Sequence, residues 1–297
     1  MAAQTHHLRD GSHAVILLLK ASAIIPRLGI AMTREASPSC RVVQLGMTPY
    51  RQAWEMQERL AAEIARGEQS PTLLLLEHPH TFTFGRRGRQ ENLLWDEATR
   101  AARQVEVVWV DRGGDVTYHG PGQLVGYPLI RLGPIDNTGR LPQADYVGFV
   151  RNLEQVLVAA LAQLGLASGQ QAGLTGVWVQ PDVASRCPRC PPAARRKPAK
   201  IAAIGVKIDA AGISRHGFAL NVAPEMEYWD GIVACGLVDH PVISLEQLLD
   251  PAPTIDIVSR EVTAAFGQVF GMQMVAGAGG DGPEGMSFTE SRGDAGR

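Results

Sequence analysis

The sequence has no run of about 20 consecutive apolar residues, the length a membrane-spanning helix needs. Its longest early candidate, Ala14 to Leu19, is cut short by Lys20. Nor has it an excess of charge of one sign: 28 Lys and Arg stand against 30 Asp and Glu, a formal net charge of -2. That balance excludes a bulk nucleic-acid binder, and 20% charged residues are too few to hold a chain unfolded. Cysteine is scarce. The four present, Cys40, Cys187, Cys190 and Cys235, are too few for a disulfide scaffold, and their unlike contexts predict a reducing, cytoplasmic setting in which each thiol has its own explanation. No internal repeat occurs, and the glycine-rich cluster at 111–123 is neither a GxxxxGK loop followed by Ser or Thr nor a GxGxxG turn. What remains, 297 residues of which 45% are hydrophobic, is one large globular domain or two small ones.

The two ends differ from the rest. Residues 1–40 read as a leader outside the fold, disordered or preceding the true start, although the apolar stretch before Lys20 is also long enough for a signal-peptide core. Residues 276–297 are rich in glycine and poor in apolar side chains, so they read as a disordered tail. Between them, 41–275 reads as one α/β domain with a mixed β-sheet and packed helices. Strands are expected at Arg41–Leu45, Thr72–Leu76, Val105–Val110, Leu174–Val179, Ile201–Ile208 and Ile213–Val222. A helix follows the Thr48-Pro49 start signal and ends at Gly67; a second carries the stripe Val147, Val150, Leu157, Leu161 and Leu164; shorter pieces fall at 244–249 and 255–270. Residues 180–199 break this rhythm. With Cys187, Cys190, several prolines and the basic run Arg195, Arg196 and Lys197, they read as an exposed inserted loop without regular structure. The CxxC lacks a second Cys or His pair that would complete a zinc site, so no metal is expected there.

Three places concentrate chemistry. Arg112, Gly113, Gly114, Asp115, Val116, Thr117, Tyr118 and His119 lead into Gly120 and Gly122, so the glycines allow close backbone approach to a ligand while polar donors cluster beside them. Taken alone the cluster is either a ligand loop or a tight structural turn. Lys200 opens an apolar strand, and Cys235 sits between Ala234 and Gly236. From spacing alone, a lone lysine is solvated and a lone cysteine is inert core more often than either is catalytic.

In order along the chain stand Gly85-Arg86, the stretch from Arg112 to Leu129, Gly176-Val-Trp178-Val, Lys200 to Val206, Ser214 to Val222, and Cys235-Gly-Leu237. Together they resemble the lipoyl(octanoyl) transferases, which share a fold with biotin and lipoate protein ligases. The resemblance covers about residues 41 to 270; the leader, the tail and the 180–199 insertion depart from it. It implies that Cys235 takes an octanoyl group as a thioester and that Lys200 lowers its pKa and shuttles protons. It further implies that Arg112 to His119, with Ala203, Ile204, Gly205, Gly217, Phe218 and Ala219, line the acyl group. The donor implied is octanoyl-acyl carrier protein. The acceptors implied are lipoyl domains of 2-oxoacid dehydrogenase complexes and the glycine cleavage H protein, with no cofactor, nucleic acid or membrane involved. Both partner types are acidic, so Arg86, Arg87, Arg89 and Arg112 are expected to form a docking patch, extended by Arg186, Arg189, Arg195, Arg196 and Lys197. The physical chemistry agrees: a thiol of pKa near 8.5 is a poor nucleophile at neutral pH, and an adjacent ammonium lowers it into the range of roughly 3.5–7.5. Rival readings are an ATP-dependent ligase or an amidotransferase of the same fold, a thioesterase, and a non-catalytic acyl-carrier binding module. ATP dependence, donor preference, release of free octanoate and absence of turnover separate them.

Overall fold

A computed structural model describes residues 37–132, 145–236 (at Cys235 the backbone) and 240–277; the leader up to residue 36 and the tail from 278 lie outside the described residues. β1 (Ser39–Met47) begins inside the expected leader. α1 (Tyr50–Arg66) buries Ala53, Met56, Leu60, Ala61 and Ile64 along one stripe and stops at Gly67, whose φ of 75° suits glycine. Thr48 does not cap this helix; Pro49 stands at the N-cap, and the Thr48 hydroxyl turns back to the Leu45 carbonyl at 3.4 Å. β2 (Thr72–Glu77) carries the continuous apolar run Leu73–Leu76 because it is covered on both faces, with Leu73 and Leu75 packing to one side and Leu74 and Leu76 to the other.

Then come β3 (Thr81–Phe84), α2 (Glu97–Ala102), β4 (Glu106–Trp109), β5 (Val116–His119) and β6 (Gln123–Leu129). The glycine-rich cluster is therefore half strand: its glycines punctuate the turns before β5 and between β5 and β6, Arg112 and Asp115 lie in the loop, and Thr117, Tyr118 and His119 occupy strand positions. α3 (Tyr146–Gln163), capped by the Asp145 carboxylate, is followed by β7 (Gly169–Gln171), β8 (Leu174–Val179), α4 (Pro181–Ala184), β9 (Ala199–Ile208) and β10 (Ser214–Asn221). α5 (Leu245–Leu248), α6 (Ile255–Phe270) and β11 (Gln273–Ala276) complete the chain, so the fold extends one residue into the expected tail.

Eight strands form a mixed sheet in the order β11-β1-β2-β6-β10-β9-β8-β7, and β4-β3-β5 form a second sheet of three. α3 and α6 cover one face of the large sheet through Leu153, Leu157, Leu161, Val258, Val262 and Phe266. α1 covers the other. The smaller sheet builds its own cluster from Phe82, Phe84, Val116, Tyr118, Tyr228 and Ile232. Among the described residues no helix is long and apolar enough to cross a membrane.

The 180–199 insertion departs from expectation. It holds the helical turn α4, whose first residue Pro181 supplies a fixed φ where no backbone donor is needed. Cys187 and Cys190 are joined in a disulfide. Both, with Ala184 and Ala194, are buried in the main core, so the segment is a packed flap rather than an exposed loop, and two of the four cysteines share one explanation. The reason is local: Ala184, Cys187, Cys190 and Ala194 face inward with Val183 packed against them, while the arginines stay outside.

β6 and β10 approach closely only because Gly217 has no side chain. A Cβ on Gly217 would lie 2.1 Å from the Gly126 carbonyl oxygen on β6 and 2.7 Å from Pro128. Neither backbone can move without breaking the ladder. Gly217→Ala is expected to lower stability by about 1–3 kcal/mol, as overpacking does, measured as a lower midpoint with unchanged slope in urea unfolding.

Candidate active site

The loop from Arg112 to Asp115 is held by a buried guanidinium. Arg112, 6% exposed, donates to the Thr83 carbonyl at 2.5 Å, the Thr83 hydroxyl at 2.8 Å and the Asp115 carbonyl at 2.8 Å. The backbone follows, with Arg86 N–H bonded to the Arg112 carbonyl and Arg87 N–H to that of Gly114. A buried charge needs such a complete set of acceptors. Arg112 therefore belongs to the interior, not to the surface patch expected from sequence; its role is to tie the β3–β5 sheet to the glycine loop.

A cavity of about 450 Å³, counting its open mouth, lies between this loop and the large sheet. The segments Ala203, Ile204, Gly205 and Gly217, Phe218, Ala219 form one wall because β9 and β10 pair them directly, Gly205 with Gly217, Ile204 with Phe218 and Ala203 with Ala219. Gly113 and Gly114, with Arg112 and Asp115, form the opposite side. β5 alternates: Thr117 and His119 line the cavity, while Val116 and Tyr118 point into the small-sheet cluster.

Tyr50, His119, Tyr127 and His216 line the same cavity. His119 was expected there; Tyr50, Tyr127 and His216 were not, because the bonds that bring them together span up to 166 positions. His216, at φ 56°, donates from Nε2 to Asp111 at 2.7 Å and lies 3.4 Å from the Tyr50 hydroxyl. Asp111 also receives Lys207 and Arg215. Its carboxyl is held well below the usual range, first by the His216 hydrogen bond, then by Lys207 and the Arg215 charge. His119 donates to Gln123 at 2.8 Å, Gln123 to Asn221 at 2.9 Å and Asn221 to the Ile243 carbonyl at 3.1 Å. Ile243 N–H in turn bonds the Lys200 carbonyl, so a continuous hydrogen-bond chain runs from the cavity to the lysine strand.

Lys200 is 8% exposed. Its Nζ stands 4.7 Å from the Trp178 ring centroid, a cation–π distance. Its aliphatic stem passes Gly176, where φ is 116° and an added Cβ would meet the Lys200 Cε at 3.4 Å and the Ala202 carbonyl at 2.6 Å. Only glycine seats the stem there. The buried Glu154 carboxylate fixes that glycine by accepting its N–H at 2.9 Å.

Cys235 lies in the 3-10 turn Ala234–Gly236. The turn is anchored by Val233 N–H to the Asn92 carbonyl at 2.8 Å and by Gly236 N–H to the Val233 carbonyl at 3.0 Å. Asp115 serves the same region, accepting from Asn92 and from the Arg89 backbone. Ala234 lines a small chamber with Lys200, and Gly236 lines a wide groove with Lys200. Both chain neighbours of Cys235 thus share a surface with Lys200, although lysine and cysteine are 35 positions apart in the sequence. Cys40 is different: it is buried under α6, and burial pushes its thiol up to about 12, which makes it an inert core residue. Arg86, Arg87 and Arg89 are exposed along the groove. Arg186, Arg189, Arg195, Arg196 and Lys197 are exposed on the flap and line none of these cavities.

Residues 49–267 match the family model described as the lipoyl protein ligase A/B catalytic domain. An octanoyltransferase of Chloroflexus aurantiacus is 44% identical over 229 residues, covering 77% of this chain and 93% of that protein. An octanoyltransferase of Rubrobacter xylanophilus is 41% identical over 227 residues, covering 76% and 91%. Among solved structures, a bipartite lipoate protein ligase of Thermoplasma acidophilum superposes with a TM-score of 0.58 at 16% identity, over 81% of this chain and 87% of that one; the mixed α/β fold is the one lipoate ligases have.

The histidines around the cavity make stability depend on pH. His78 donates from one nitrogen to the Thr48 carbonyl and accepts the Tyr127 hydroxyl at the other, both at 2.7 Å, and is therefore neutral; burial lowers its pKa to about 4. A histidine depressed in the fold takes up a proton on unfolding, so stability falls as pH drops from about 6.5 towards 4, by up to about 3 kcal/mol for His78 alone. Burial lowers His119 and His216 as well. The thermal midpoint is expected to fall steadily below pH 6.5, and His78→Gln, which keeps an acceptor and a donor, should flatten that slope while lowering the midpoint at pH 7.5.

Proposed function

The chain belongs to the lipoyl protein ligase A/B catalytic-domain family, among its octanoyltransferases, and on that premise we propose how the octanoyl group travels: from octanoyl-acyl carrier protein, through a thioester on Cys235, to the acceptor lysine of a lipoyl domain. The acceptors are the lipoyl domains of 2-oxoacid dehydrogenase complexes and the glycine cleavage H protein, and the reaction takes place in the cytoplasm. The observation that carries this reading is the position of Lys200, seated against Gly176 and sharing a cavity wall with each neighbour of Cys235.

The Lys200 ammonium stabilises the Cys235 thiolate, which attacks the donor thioester carbonyl. Exchange between thioesters is nearly isoenergetic, and the later transfer to an amine ends in an amide, so the route needs no ATP. Lys200 gives a proton to the departing donor thiol and takes one from the incoming lysine amine, the two-way service of a general acid and base. The acyl chain lies along the wall made by β9 and β10, running from Ala203 towards His216, and the limit on its length falls at Tyr50 and His216. Each methylene of burial is worth about 0.8 kcal/mol, so neighbouring chain lengths differ by about fourfold in affinity until the end wall intervenes. Arg86, Arg87 and Arg89 at the groove meet the acidic carrier surfaces.

Intact mass spectrometry tests the route. Octanoyl-acyl carrier protein is expected to leave a hydroxylamine-labile octanoyl adduct on the parent protein and none on Cys235→Ser, and the adduct should disappear as an added apo lipoyl domain gains the same mass. Product that forms only with ATP and free octanoate would instead assign the ligase reaction. Lys200→Met should slow adduct formation by about 100- to 10,000-fold at pH 7. Arg86→Glu with Arg87→Glu should raise the donor KM at low salt, leave kcat within about twofold, and lose its effect as ionic strength rises.

A further inference from the structure

The 180–199 flap carries chemistry that the transfer reaction does not use, and it grips the lysine strand from two sides. Along the chain it ends at Lys197, Pro198 and Ala199 and runs straight into Lys200. Through space, Cys187 Sγ lies 2.7 Å and Cys190 Sγ 4.0 Å from the Gln247 carbonyl oxygen. Gln247 closes the capping box that starts α5, its side chain accepting the Ser244 N–H at 3.1 Å. The residues just before that box form a ladder on Lys200. Lys200 N–H donates to the Pro241 carbonyl at 2.8 Å, and Ile243 N–H donates to the Lys200 carbonyl at 3.0 Å. Arg189 adds its bond to the Leu249 carbonyl at 2.6 Å. The two sulfurs therefore bear on one short segment, 241–249, that holds the Lys200 backbone on its other side.

We propose that Cys187 and Cys190 are a thiol–disulfide exchange site for a dithiol reductant, and that its redox state sets the rate of acyl transfer through the hold on Lys200. The rate effect rests on the role given to Lys200 above. In a reducing compartment, such as the cytoplasm proposed above, the disulfides that do form are usually transient and either catalytic or redox-sensing. The surroundings favour exchange. Arg186, Arg189, Arg195 and Arg196 are exposed about the pair, and Arg195 donates to the Cys190 carbonyl at 3.2 Å and the Pro188 carbonyl at 2.9 Å. A departing thiolate thus forms among guanidinium groups, which stabilise it. The reductant thiolate attacks Cys187 Sγ, the more exposed residue at 6% against 3% for Cys190. The Cys187–Cys190 bond breaks, and its electron pair leaves on Cys190 Sγ, which takes a proton. The reductant's second thiolate then attacks the reductant sulfur of the mixed disulfide, and Cys187 departs and is protonated. The protein gains two electrons and two protons, both protons coming from the reductant thiols, and the reductant ends as a disulfide. Two thiols need more room than one disulfide, because unbonded sulfurs stand at van der Waals distance, and both sit in the main core with Ala184, Ala194 and Leu245. A close-packed interior lacks that room, so reduction lifts the flap from α5 and loosens the ladder on Lys200. The cavity wall is held separately by the β9–β10 pairing from Ala202 to Ile208, so the change falls on the chemical step and not on substrate binding.

The test is single-turnover acylation of the whole chain by octanoyl-acyl carrier protein, read by mass, before and after treatment with dithiothreitol that is then removed under nitrogen. Iodoacetamide labelling with peptide mass shows whether Cys187 and Cys190 are open, and backbone hydrogen exchange reports on 180–199 and 240–249. Reduction is expected to open both cysteines, to speed exchange in both segments, and to slow acylation about 10- to 100-fold with the donor concentration at half-saturation unchanged. Oxidised dithiothreitol should restore the rate. Cys187→Ser with Cys190→Ser should be slow with and without dithiothreitol, and the parent titration stands whether or not that variant folds. A disulfide that dithiothreitol leaves closed in the native protein overturns the proposal. So does a reduced protein, labelled at both cysteines, that acylates within about twofold of the oxidised one. A parent protein that takes no octanoyl adduct in either state overturns the acyl-enzyme reading instead, and labelling and hydrogen exchange still decide whether the exchange site exists and moves the Lys200 ladder.

Discussion

β9 and β10 are hydrogen-bonded in one register, and nearly every feature of the site depends on it. The pairing of Gly205 with Gly217, Ile204 with Phe218 and Ala203 with Ala219 turns two separate stretches of small and apolar residues into one wall. It also puts His216 opposite Val206, where its imidazole meets Tyr50 and Asp111 at the far end of the cavity. Because side chains alternate with a period of two, a slip of one residue would send the wall to the opposite face. Glycines protect this register from both sides: Gly217 admits the Gly126 carbonyl, and Gly205 admits that of Gly113.

Around this pair, the molecule secures its catalytic segments with buried polar groups that are fully paired. Arg112 joins β3 to the glycine loop, Glu154 fixes Gly176 under the Lys200 stem, and Asp115 reaches the Asn92 side that anchors the Cys235 turn. Left unpaired, each charge would be strongly destabilising, so these bonds restrict the backbone more tightly than apolar packing alone.

The insertion shows how sequence pattern and structure part company. Its prolines and arginines read as an exposed loop, and the arginines are indeed outside. Burial of Cys187, Cys190 and Ala194 depends on what lies beneath, the α5 and α6 side of the core, which local composition does not describe. Arg189 bonds the Leu249 carbonyl, so the flap is tied to the C-terminal end of α5. The glycine-rich stretch from Arg112 to Gly122 was legible as a special region but not as a strand, turn and strand, because its polar residues mask the alternation that would have announced β5. Val116 and Tyr118 consequently face away from the cavity that Thr117 and His119 line.

The sequence by itself determined the periodicities that make α1, α3 and α6, the doubly covered strand β2, the order of motifs that identifies the family, and the residue types suited to acyl transfer, Cys235 and Lys200 among them. These are properties of neighbouring residues or of a linear pattern. Only the tertiary structure decided that Arg112 is interior, that Gly176 seats the lysine, that Tyr50 and His216 line the cavity, and that Thr117, Trp178, Trp229 and His240 line one chamber. Each of those facts comes from segments 20 to 170 positions apart brought together by sheet order and register, and such contacts are fixed by the packing of the whole chain and leave no local signal in it.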